Sequence, residues 1–590
     1  MRKSSTLFKL ILIYRIFNAF LTKTFFQADE FWQSLEPAHL KAFGYGNLTW
    51  EWNIGLRSYA FPFIFELGYR SCSIISSCIY FILSTFDKIL LSIVLQNKYL
   101  KESNFLLGIL KEFSLLTNAI PQETGYLLVL YVPKLIMAFI SSIGEYYTVM
   151  LAYKIYNLTF AKEDKNRNGP TIIKIITILT LTNFFNNFFI TRTFINSFEM
   201  SLTSIALYYW DWSFENLQIN QFSFSLSMFI SMFTILQRPT NGFIWLWLGI
   251  HKLYQLLSNR KWMQILRIVN AAIKSFSFAL ALNCLIDYYF YGHLTFPVFK
   301  FIKFNFTSSL SKFYGQAPWN FHIFQSVPII LGYNLPLFLY GMITPLYTGK
   351  DNRHIFKLIK FIILMNIIVY SMISHKEFRF IYPLQPFFQI ISTFALFKLT
   401  ARYKLNLNNN FFWILPTIST IAALFLCRVQ EGGVMDVMYF FHSIKGDITS
   451  VGFIMPCHST PWQSHLHKNN IQDLWYITCE PPLHLLEDTN SDKLLLEYMD
   501  ESDYLYDNIQ LFLYQNFPPV YNKGLRSPGK QYLHEWPEFL VIFQHLDDEF
   551  MKQYLEDSPY FEYTRFSNSF IHWDSRRSGD VVVYHKRPWA

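Results

Sequence analysis

The sequence has little charge and little cysteine. Of its 590 residues, 15% are charged and six are cysteine, whereas a typical soluble domain carries about 25% charged residues. No two cysteines form a CxxC pair, so the sequence indicates neither a disulfide-rich scaffold nor a zinc site of that type. It also contains no Walker loop and no GxGxxG motif, so the sequence indicates neither an ATPase nor a nucleotide-sugar donor.

Apolar residues dominate what is present. Hydrophobic residues make up 52% of the chain, aromatic residues make up 19%, and the mean hydropathy is +0.20. Such a composition excludes a disordered protein. The net charge of +9 is thinly scattered, whereas a nucleic-acid-binding surface gathers its positive charge on one face, so we expect no nucleic-acid partner. The remaining class is a multi-pass membrane protein.

Charge divides the chain into two parts. Residues 1–427 carry 37 basic and 18 acidic side chains, which gives a net charge of +19. Residues 428–590 carry 13 basic and 23 acidic side chains, a net charge of −10. The density of charge in the second part is close to that of soluble domains. We therefore expect a membrane body over residues 1–427 and a smaller, mixed aqueous domain over residues 428–590.

A helix needs about 20 mostly apolar residues to cross a bilayer. On that basis the sequence predicts an all-α membrane body of about 11–13 spans, one of them hidden between residues 84 and 120. Short loops rich in lysine and arginine indicate the cytosolic face, so the first polar loop, about 26–57, and the C-terminal domain share the opposite face. The other spans lie near residues 6–25, 57–83, 128–154, 171–190, 197–213, 221–236, 242–257, 267–291, 325–346, 356–374, 380–398 and 411–427.

The first polar loop carries the densest group of candidate site residues. Asp29 and Glu30 directly follow the first span, and paired carboxylates beside a membrane suit general-base catalysis or metal binding. The alternative is a solvated loop with interfacial tryptophans, which accounts for Trp50 but not for the grouped acids. Further candidates in this loop are Gln33, Glu36, His39, Trp50, Glu51 and Arg57.

Cationic side chains gather in three other loops on the same face. His375, Lys376 and Arg379 stand within five residues between two predicted spans, where unpaired charge is costly. Grouped cations suit a phosphate, which arginine binds through a bidentate contact and lysine binds as a point charge. Arg192 and Arg238 each follow a span and join this set. The alternatives are a charged turn that caps two helices at 375–379 and structural anchors at the two arginines.

These motifs, in this order, resemble an enzyme superfamily, the dolichyl-phosphate-mannose-dependent α-mannosyltransferases of the endoplasmic reticulum. The similar segments are FQADEFWQ at 26–33, YGNLTWEW at 45–52, TRTFINSFE at 191–199, RPT at 238–240 and HKEFRF at 375–380. The resemblance implies a membrane-embedded GT-C fold in the endoplasmic reticulum membrane, surrounded by its lipids. It also implies that the active site and the C-terminal domain are lumenal.

Three C-terminal segments narrow the resemblance to one branch of the superfamily. MPCHSTPWQSHLH at 455–467, CEPP at 479–482 and HEWP at 534–537 resemble the branch that adds the third mannose to the glycosylphosphatidylinositol (GPI) anchor precursor. The implied reaction is α-1,2 transfer from dolichyl-phosphate mannose to the two-mannose precursor, by a single inverting displacement. The alternatives are the same chemistry in N-glycan precursor assembly and, in another class, a lipid or solute transporter without catalysis. Protein partners stay open.

The resemblance also implies roles for the candidate residues. Asp29 is expected to be the base, with Glu30 as the second choice, and no cofactor or metal is expected to be required. The donor phosphate is expected to meet Arg192, Arg238, His375, Lys376 and Arg379. The acceptor or its sugars are expected to meet Gln33, Glu36, His39, Trp50, Glu51 and Arg57.

Cysteine and histidine are grouped in the C-terminal domain. Cys457, His458, His465 and His467 raise the possibility of a metal site, but the next cysteine follows 22 residues later and the spacing fits no standard zinc pattern. In an oxidising lumen a disulfide between Cys457 and Cys479 is the preferred interpretation, and two free thiols are the alternative.

Overall fold

The structure is a computed structural model with a helical body followed by a smaller domain that contains a sheet. It describes residues 2–96, 104–160, 162–213, 220–307, 313, 315–346, 353–405, 407, 409–484, 494–495, 497–520 and 529–587. The helical membrane body and the mixed C-terminal domain predicted above are both confirmed.

Apolar helices form the body. Among the described residues, seven helices are long and apolar enough to cross a membrane: Ala60–Leu90, Ala119–Thr159, Trp262–Tyr291, His322–Ile343, His354–Met372, Phe378–Tyr403 and Asn410–Arg428. Other predicted spans overlap helices that are shorter or more charged, at Arg2–Leu21, Lys162–Leu181, Ile195–Tyr209, Gln221–Gln237 and Gly242–Ser258. Shorter helices of the body lie at Phe184–Phe189, Pro297–Thr307, Val327–Leu331 and Leu335–Ile343, with 3₁₀ turns at Pro239–Asn241, Gly332–Asn334, Phe378–Leu384 and Asn410–Trp413.

The expected span between residues 84 and 120 is not a separate helix. The helix that begins at Ala60 continues to Gln96, and a 56-residue helix runs over Asn104–Thr159. Residues 97–103 lie outside the described residues. From Ser84 to Gln96 the sequence has no proline or glycine to end a helix, so the first of these helices extends past the predicted boundary.

Close packing and paired charges hold the helices together. A Cβ atom added to Gly144 would lie 2.6 Å from the Cα atom of Ser201, so the helix Ile195–Tyr209 packs directly on this glycine. Arg15 is fully buried, and its Nε lies 2.5 Å from Oε2 of Glu145. A charge inside a membrane body requires such a partner, and the pair joins the first helix to Asn104–Thr159.

Short helices give the first polar loop a defined shape. They run over Asp29–Trp32, Leu35–Phe43 and Trp50–Asn53. The second helix ends at Gly44, whose φ of 85° is the left-handed conformation that glycine adopts most readily after a helix. The indole nitrogen of Trp52 donates to the carbonyl of Trp32 at 3.2 Å and ties the two ends of the loop together.

The C-terminal domain contains a five-stranded sheet. Its strands are β1 (Ser450–Ile454), β2 (Asp473–Tyr476), β3 (Phe539–Phe543), β4 (Tyr560–Ser569) and β5 (Gly579–Lys586), arranged in the order β2-β1-β3-β5-β4. β1 pairs in parallel with β2 and β3, whereas β5 pairs antiparallel with β3 and β4. Its helices are Gly433–Ser443, Gln463–Leu466, Glu501–Asp507, Ile509–Asn516, Gln544–Leu546 and Lys552–Tyr554.

The two faces of this sheet have different neighbours. Val451 and Phe453 point from β1 into a cluster that also holds the helix Gly433–Ser443 and residues of the first polar loop. Ile454 points to the opposite face, which is covered by the helices Glu501–Asp507 and Ile509–Asn516. Side chains alternate along a strand, so one strand serves both layers. The first polar loop therefore lies between the membrane body and the sheet.

Candidate active site

The helix Asp29–Trp32 points its two acidic side chains in different directions. Successive residues of a helix are about 100° apart, so neighbouring side chains do not face the same side. The Asp29 side chain is 29% exposed and lines an open cleft. The Glu30 side chain is 8% exposed and faces the interior. The acidic pair of the sequence is therefore divided between two environments.

Arg379 is the direct partner of Asp29. Its Nη2 lies 2.5 Å from Oδ2 of Asp29, and its Nε and Nη2 bind both oxygens of Glu377 at 2.7 and 2.8 Å. Burial alone would raise the pKa of Glu377, but the charges of Arg379 and His375 hold that pKa well below its ordinary range. Glu377 therefore stays ionised and holds the guanidinium beside Asp29.

Arg57 lies on the other side of Asp29. Its Nη2 is 2.7 Å from Oε1 of Glu51, and Nε2 of Gln33 donates to the second oxygen of Glu51 at 3.3 Å. The positive charge of Arg57 interacts with Asp29 and, unfavourably, with Arg379. Gln33, Glu51 and Arg57, which were all predicted to meet the acceptor, thus form one polar group beside the carboxylate.

Arg238 is the third arginine of this group and the least satisfied. It follows the helix Gln221–Gln237, and its nearest ion-pair partner, Glu199, is 3.9 Å away. Its Nε is buried without a hydrogen-bond partner among the described residues. Burial lowers the pKa of Arg238, the charge of Glu199 partly offsets this, and the positive charges of Arg57 and Arg379 lower the pKa again. Three arginines that repel one another in this way can be stabilised by a bound anion.

The cleft beside these residues joins a polar end to an apolar wall. The space between its lining atoms, part of it open to solvent, is about 470 Å³. Its lining residues are Asp29, Gln33, Ser34, Leu56, Arg57, Ser58, Phe61, Pro62, Ile195, Leu236, Gln237, Pro239, Pro297, Val298 and Phe301. Deep pockets with a few placed polar groups on apolar walls are typical ligand sites. This one suits a ligand that has a charged or hydroxyl-rich head and an apolar tail.

Arg192 does not lie in the cleft. Its Nη1 binds Oε2 of Glu30 at 2.9 Å and the carbonyl of Thr24 at 2.6 Å, while its Nε donates to the carbonyl of Phe188. The side chain is fully buried. The guanidinium is therefore committed to holding the acidic helix against the body.

His375 and Lys376 contact a neighbouring loop. His375 Nδ1 lies 3.1 Å from the carbonyl of Gly315, and Lys376 Nζ donates to the carbonyl of Ala317 at 2.8 Å. His375 Nε2 is also 3.3 Å from Glu377. These contacts place both side chains where the segment that carries Arg379 meets the segment that contains Gly315 and Ala317.

Glu36 and His39 connect the first polar loop to the C-terminal domain. Oε1 of Glu36 accepts hydrogen bonds from the backbone of Trp462 at 2.9 Å and of Ser464 at 3.1 Å. His39 Nε2 lies 2.8 Å from Nδ1 of His467. Both side chains are buried, at 1% and 0% exposure, and neither lines the cleft. Trp50 is also buried, in a small cluster with Leu56 and Phe304.

The two cysteines of the C-terminal domain link the ends of the segment that contacts the first polar loop. Cys457 and Cys479 form a disulfide with a Cα–Cα distance of 5.7 Å. Their sulfurs and the ring of His458 lie within 4.8 Å of one another, but a disulfide leaves neither sulfur as a thiolate ligand. His458 has a left-handed φ of 53°, and its ring packs 4.6 Å from the ring of Trp32. The carbonyl of Thr460 accepts from the indole of Trp32 at 3.0 Å, which attaches the segment to the acidic helix.

A buried carboxylate was missing from the predicted site. Asp287 is fully buried and accepts hydrogen bonds from the hydroxyl of Ser58 at 3.0 Å and the backbone of Tyr59 at 2.7 Å. Through Asn283 it also reaches Gln237. Ser58 and Gln237 both line the cleft, so this network shapes its wall. The sequence could have indicated Asp287, because it is an acidic residue near the end of a predicted span and such residues rarely lack a role.

The family model and the named relatives at 30% identity or more agree on one family. The model of the Alg9-like mannosyltransferase family matches residues 6–467. GPI mannosyltransferase 3 of Kluyveromyces lactis is 51% identical over 99% of this chain and 98% of its own length, and that of Saccharomyces cerevisiae is 49% identical over 99% and 96%. The GPI mannosyltransferase 3 of Schizosaccharomyces pombe is 31% identical over 98% of both chains. Among solved structures, ArnT from Cupriavidus metallidurans bound to undecaprenyl phosphate matches with a TM-score of 0.48 at 10% identity, over 98% of this chain and 97% of that one.

Proposed function

The chain belongs to the Alg9-like mannosyltransferase family, and from that premise we propose that it adds the third mannose to the GPI anchor precursor. It is a glycosyltransferase of the GT-C type with a helical membrane body. The proposed donor is dolichyl-phosphate mannose, and the proposed acceptor is the two-mannose precursor. Full-length similarity to relatives named GPI mannosyltransferase 3, at 49–51% identity in two yeasts, supports this choice. The proposed location is the endoplasmic reticulum membrane, with the cleft facing the lumen.

The observation that carries the proposal is the position of Asp29, which lines the cleft with Arg57 and is bound by Arg379, while Arg238 lies close enough to both arginines to be repelled by them. In an inverting transfer, the acceptor oxygen attacks the anomeric carbon from the side opposite the phosphate. The bond from that carbon to the phosphate oxygen breaks as the new bond forms, and the hydroxyl proton passes to a base. Such a displacement needs a base within reach of the acceptor hydroxyl and positive charge within reach of the departing phosphate.

Asp29 is the proposed base. Its Oδ2 is bound by Arg379. No donor among the described residues is assigned to its Oδ1, so that oxygen can accept the proton of an acceptor hydroxyl. The partial exposure of the side chain, 29%, leaves room for this approach. Glu30, the second choice, is instead paired with Arg192 in the interior, and we propose that it holds the helix in place.

Arg57, Arg238 and Arg379 are the proposed phosphate-binding group. The departing lipid phosphate gains negative charge during the displacement, and guanidinium groups stabilise such charge through paired hydrogen bonds. This assignment moves Arg57 from the acceptor to the donor phosphate. It assigns Arg192, His375 and Lys376 to supporting the site. With Arg57 in the lining of the cleft and Arg238 and Arg379 close to it, we expect no metal to be required.

The acceptor is proposed to enter beside Gln33. This side chain lines the cleft next to Asp29 and contacts Glu51. Glu36 and His39 are reassigned from acceptor binding to joining the loop and the C-terminal domain, because both are buried in that contact. Trp50 is reassigned in the same way to packing the loop.

The proposal is tested with the full-length protein in membranes that lack other sources of the activity. Labelled dolichyl-phosphate mannose and a two-mannose GPI intermediate are supplied to the wild type and to Asp29→Asn. We expect a three-mannose product, with an α-1,2 bond, from the wild type alone. Transfer to an N-glycan precursor instead would support the same donor but assign the protein to N-glycan precursor assembly. No transfer to either acceptor by folded protein would refute the enzyme assignment and favour a transporter.

A further inference from the structure

The loop that joins β4 to β5 exposes three large apolar side chains. Phe570, Ile571 and Trp573 are 72%, 84% and 86% exposed. Large apolar side chains that are grouped together on a surface mark a place that contacts something less polar than water. The C-terminal domain to which the loop belongs carries a net charge of −10, so these side chains depart from its general character.

The place of this loop in the fold identifies what it contacts. The helix Ile414–Arg428 is part of a candidate membrane span that ends at Arg428. The ring of Phe570 stacks on Phe425, one turn before that end, with 6.2 Å between ring centres. Phe425 is itself 46% exposed on the surface of this candidate span. The loop therefore continues the apolar surface of a span.

Hydrogen bonds fix the loop beside the end of the span. Gln430 donates through Nε2 to the carbonyl of Ile571 at 2.6 Å, and its Oε1 accepts from the backbone of Phe570 at 3.4 Å. His572 Nε2 lies 3.3 Å from Oε1 of Glu431. The polar groups of the segment are thus turned to the chain, while its apolar side chains are turned outward.

We propose that Phe570, Ile571 and Trp573 form a membrane anchor that inserts into the lipid interface beside the end of the helix Ile414–Arg428. Tryptophan and phenylalanine are favoured at this depth, where an apolar ring meets lipid and the backbone stays near water. An acidic domain gains no attraction from anionic lipids, so apolar insertion is the means by which it can hold to a bilayer. The anchor then adds a contact with lipid to the contacts that Trp32, Glu36 and His39 make with the domain.

The test measures the depth of the loop in a bilayer. An environment-sensitive fluorescent amino acid is incorporated genetically at position 573 of the full-length protein, which is purified into nanodiscs whose lipids carry bromine on their acyl chains. The control position is Tyr514, which is 75% exposed on a helix that covers the sheet face away from the first polar loop. We expect blue-shifted emission and strong quenching by brominated lipid at 573, and neither at 514.

A charge placed beside the probe provides the second arm. In the protein that carries the probe at position 573, Ile571→Asp should reduce the quenching, whereas Tyr514→Asp should not. An unchanged elution profile in size-exclusion chromatography checks that the variants are folded. Quenching at 573 no greater than at 514 would overturn the proposal. A probe that is blue-shifted in native membranes but water-exposed in purified nanodiscs would also overturn it and would indicate a protein partner.

Discussion

Replacing each acid of the Asp29–Glu30 pair by its amide should separate catalysis from stability. Asp29→Asn removes the proposed base but keeps the size of the side chain, and Arg379 retains its two bonds to Glu377. Glu30→Gln leaves the cleft unchanged but removes the negative charge opposite Arg192, which is fully buried. The two changes are adjacent in sequence and nearly identical in chemistry, so each is the matched control for the other.

The two variants should differ in both size and kind of effect. Loss of a general base costs about 10²–10⁴-fold in rate, so we expect that loss in kcat for Asp29→Asn. Because the Asp29 side chain is 29% exposed and Arg379 keeps another partner, its stability should change by no more than about 1 kcal/mol. Breaking a buried ion pair costs about 3–5 kcal/mol, so Glu30→Gln should destabilise the protein strongly.

The assay combines turnover with thermal unfolding in the same detergent. Mannose transfer is measured per folded molecule, with saturating donor and acceptor, and unfolding is followed by loss of the monodisperse peak in size-exclusion chromatography. Near-normal turnover by Asp29→Asn would refute its role as the base. If Glu30→Gln instead lost turnover without losing stability, the assignment of the two acids would have to be exchanged.

Four further predictions concern the phosphate group, the disulfide, Glu36 and metals. Arg379→Lys keeps the charge but loses the forked contact. Since a hydrogen bond to a charged group is worth about 1.5–3 kcal/mol, kcat/KM for the donor should fall about 10- to 100-fold. Unchanged donor kinetics would contradict this prediction. Replacing Cys457 and Cys479 by serine should lower the free energy of unfolding by about 2–4 kcal/mol. Addition of reductant should leave the stability of this double variant unaffected. Burial raises the pKa of Glu36 from its ordinary 4.5 to about 7, so the folded state binds the proton more tightly and stability should fall as pH rises across that window. Glu36→Gln should lose this part of the pH dependence of the unfolding midpoint, and an unchanged dependence would contradict the assignment. Chelators should leave mannose transfer intact, and a loss of activity that added metal restores would refute the expectation that no metal is required.

The membrane body could be predicted because long apolar runs have few alternative structures. A run of about 20 apolar residues in a chain of low charge density predicts a span, and seven helices of the described residues are long and apolar enough to be one. The start of the aqueous part at residue 428, taken from the change in charge, stays a prediction. The strands of the C-terminal domain could not be placed in the same way. β3, Phe539–Phe543, is buried at every position, so it lacks the alternation of apolar and polar residues that identifies a strand.

The site was predictable as a set of residues but not as a geometry. Asp29 and Arg379 are 350 positions apart in the chain, and their contact depends on how the body helices pack. Arg57 shares a loop with Glu36, and the sequence gives no reason to assign them to different surfaces. The structure separates them because Glu36 accepts hydrogen bonds from a segment more than 400 residues away.

The division of the acidic pair follows from helix geometry alone once the helix is known. Positions four apart lie on one face of a helix, and adjacent positions do not. Asp29 and Gln33 satisfy that spacing, and both line the cleft. Glu30 is rotated by about 100° from Asp29, toward Arg192 in the interior. Two adjacent acids in such a segment therefore cannot act as interchangeable bases, and the loss of one cannot be compensated by the other without unwinding the helix that positions both.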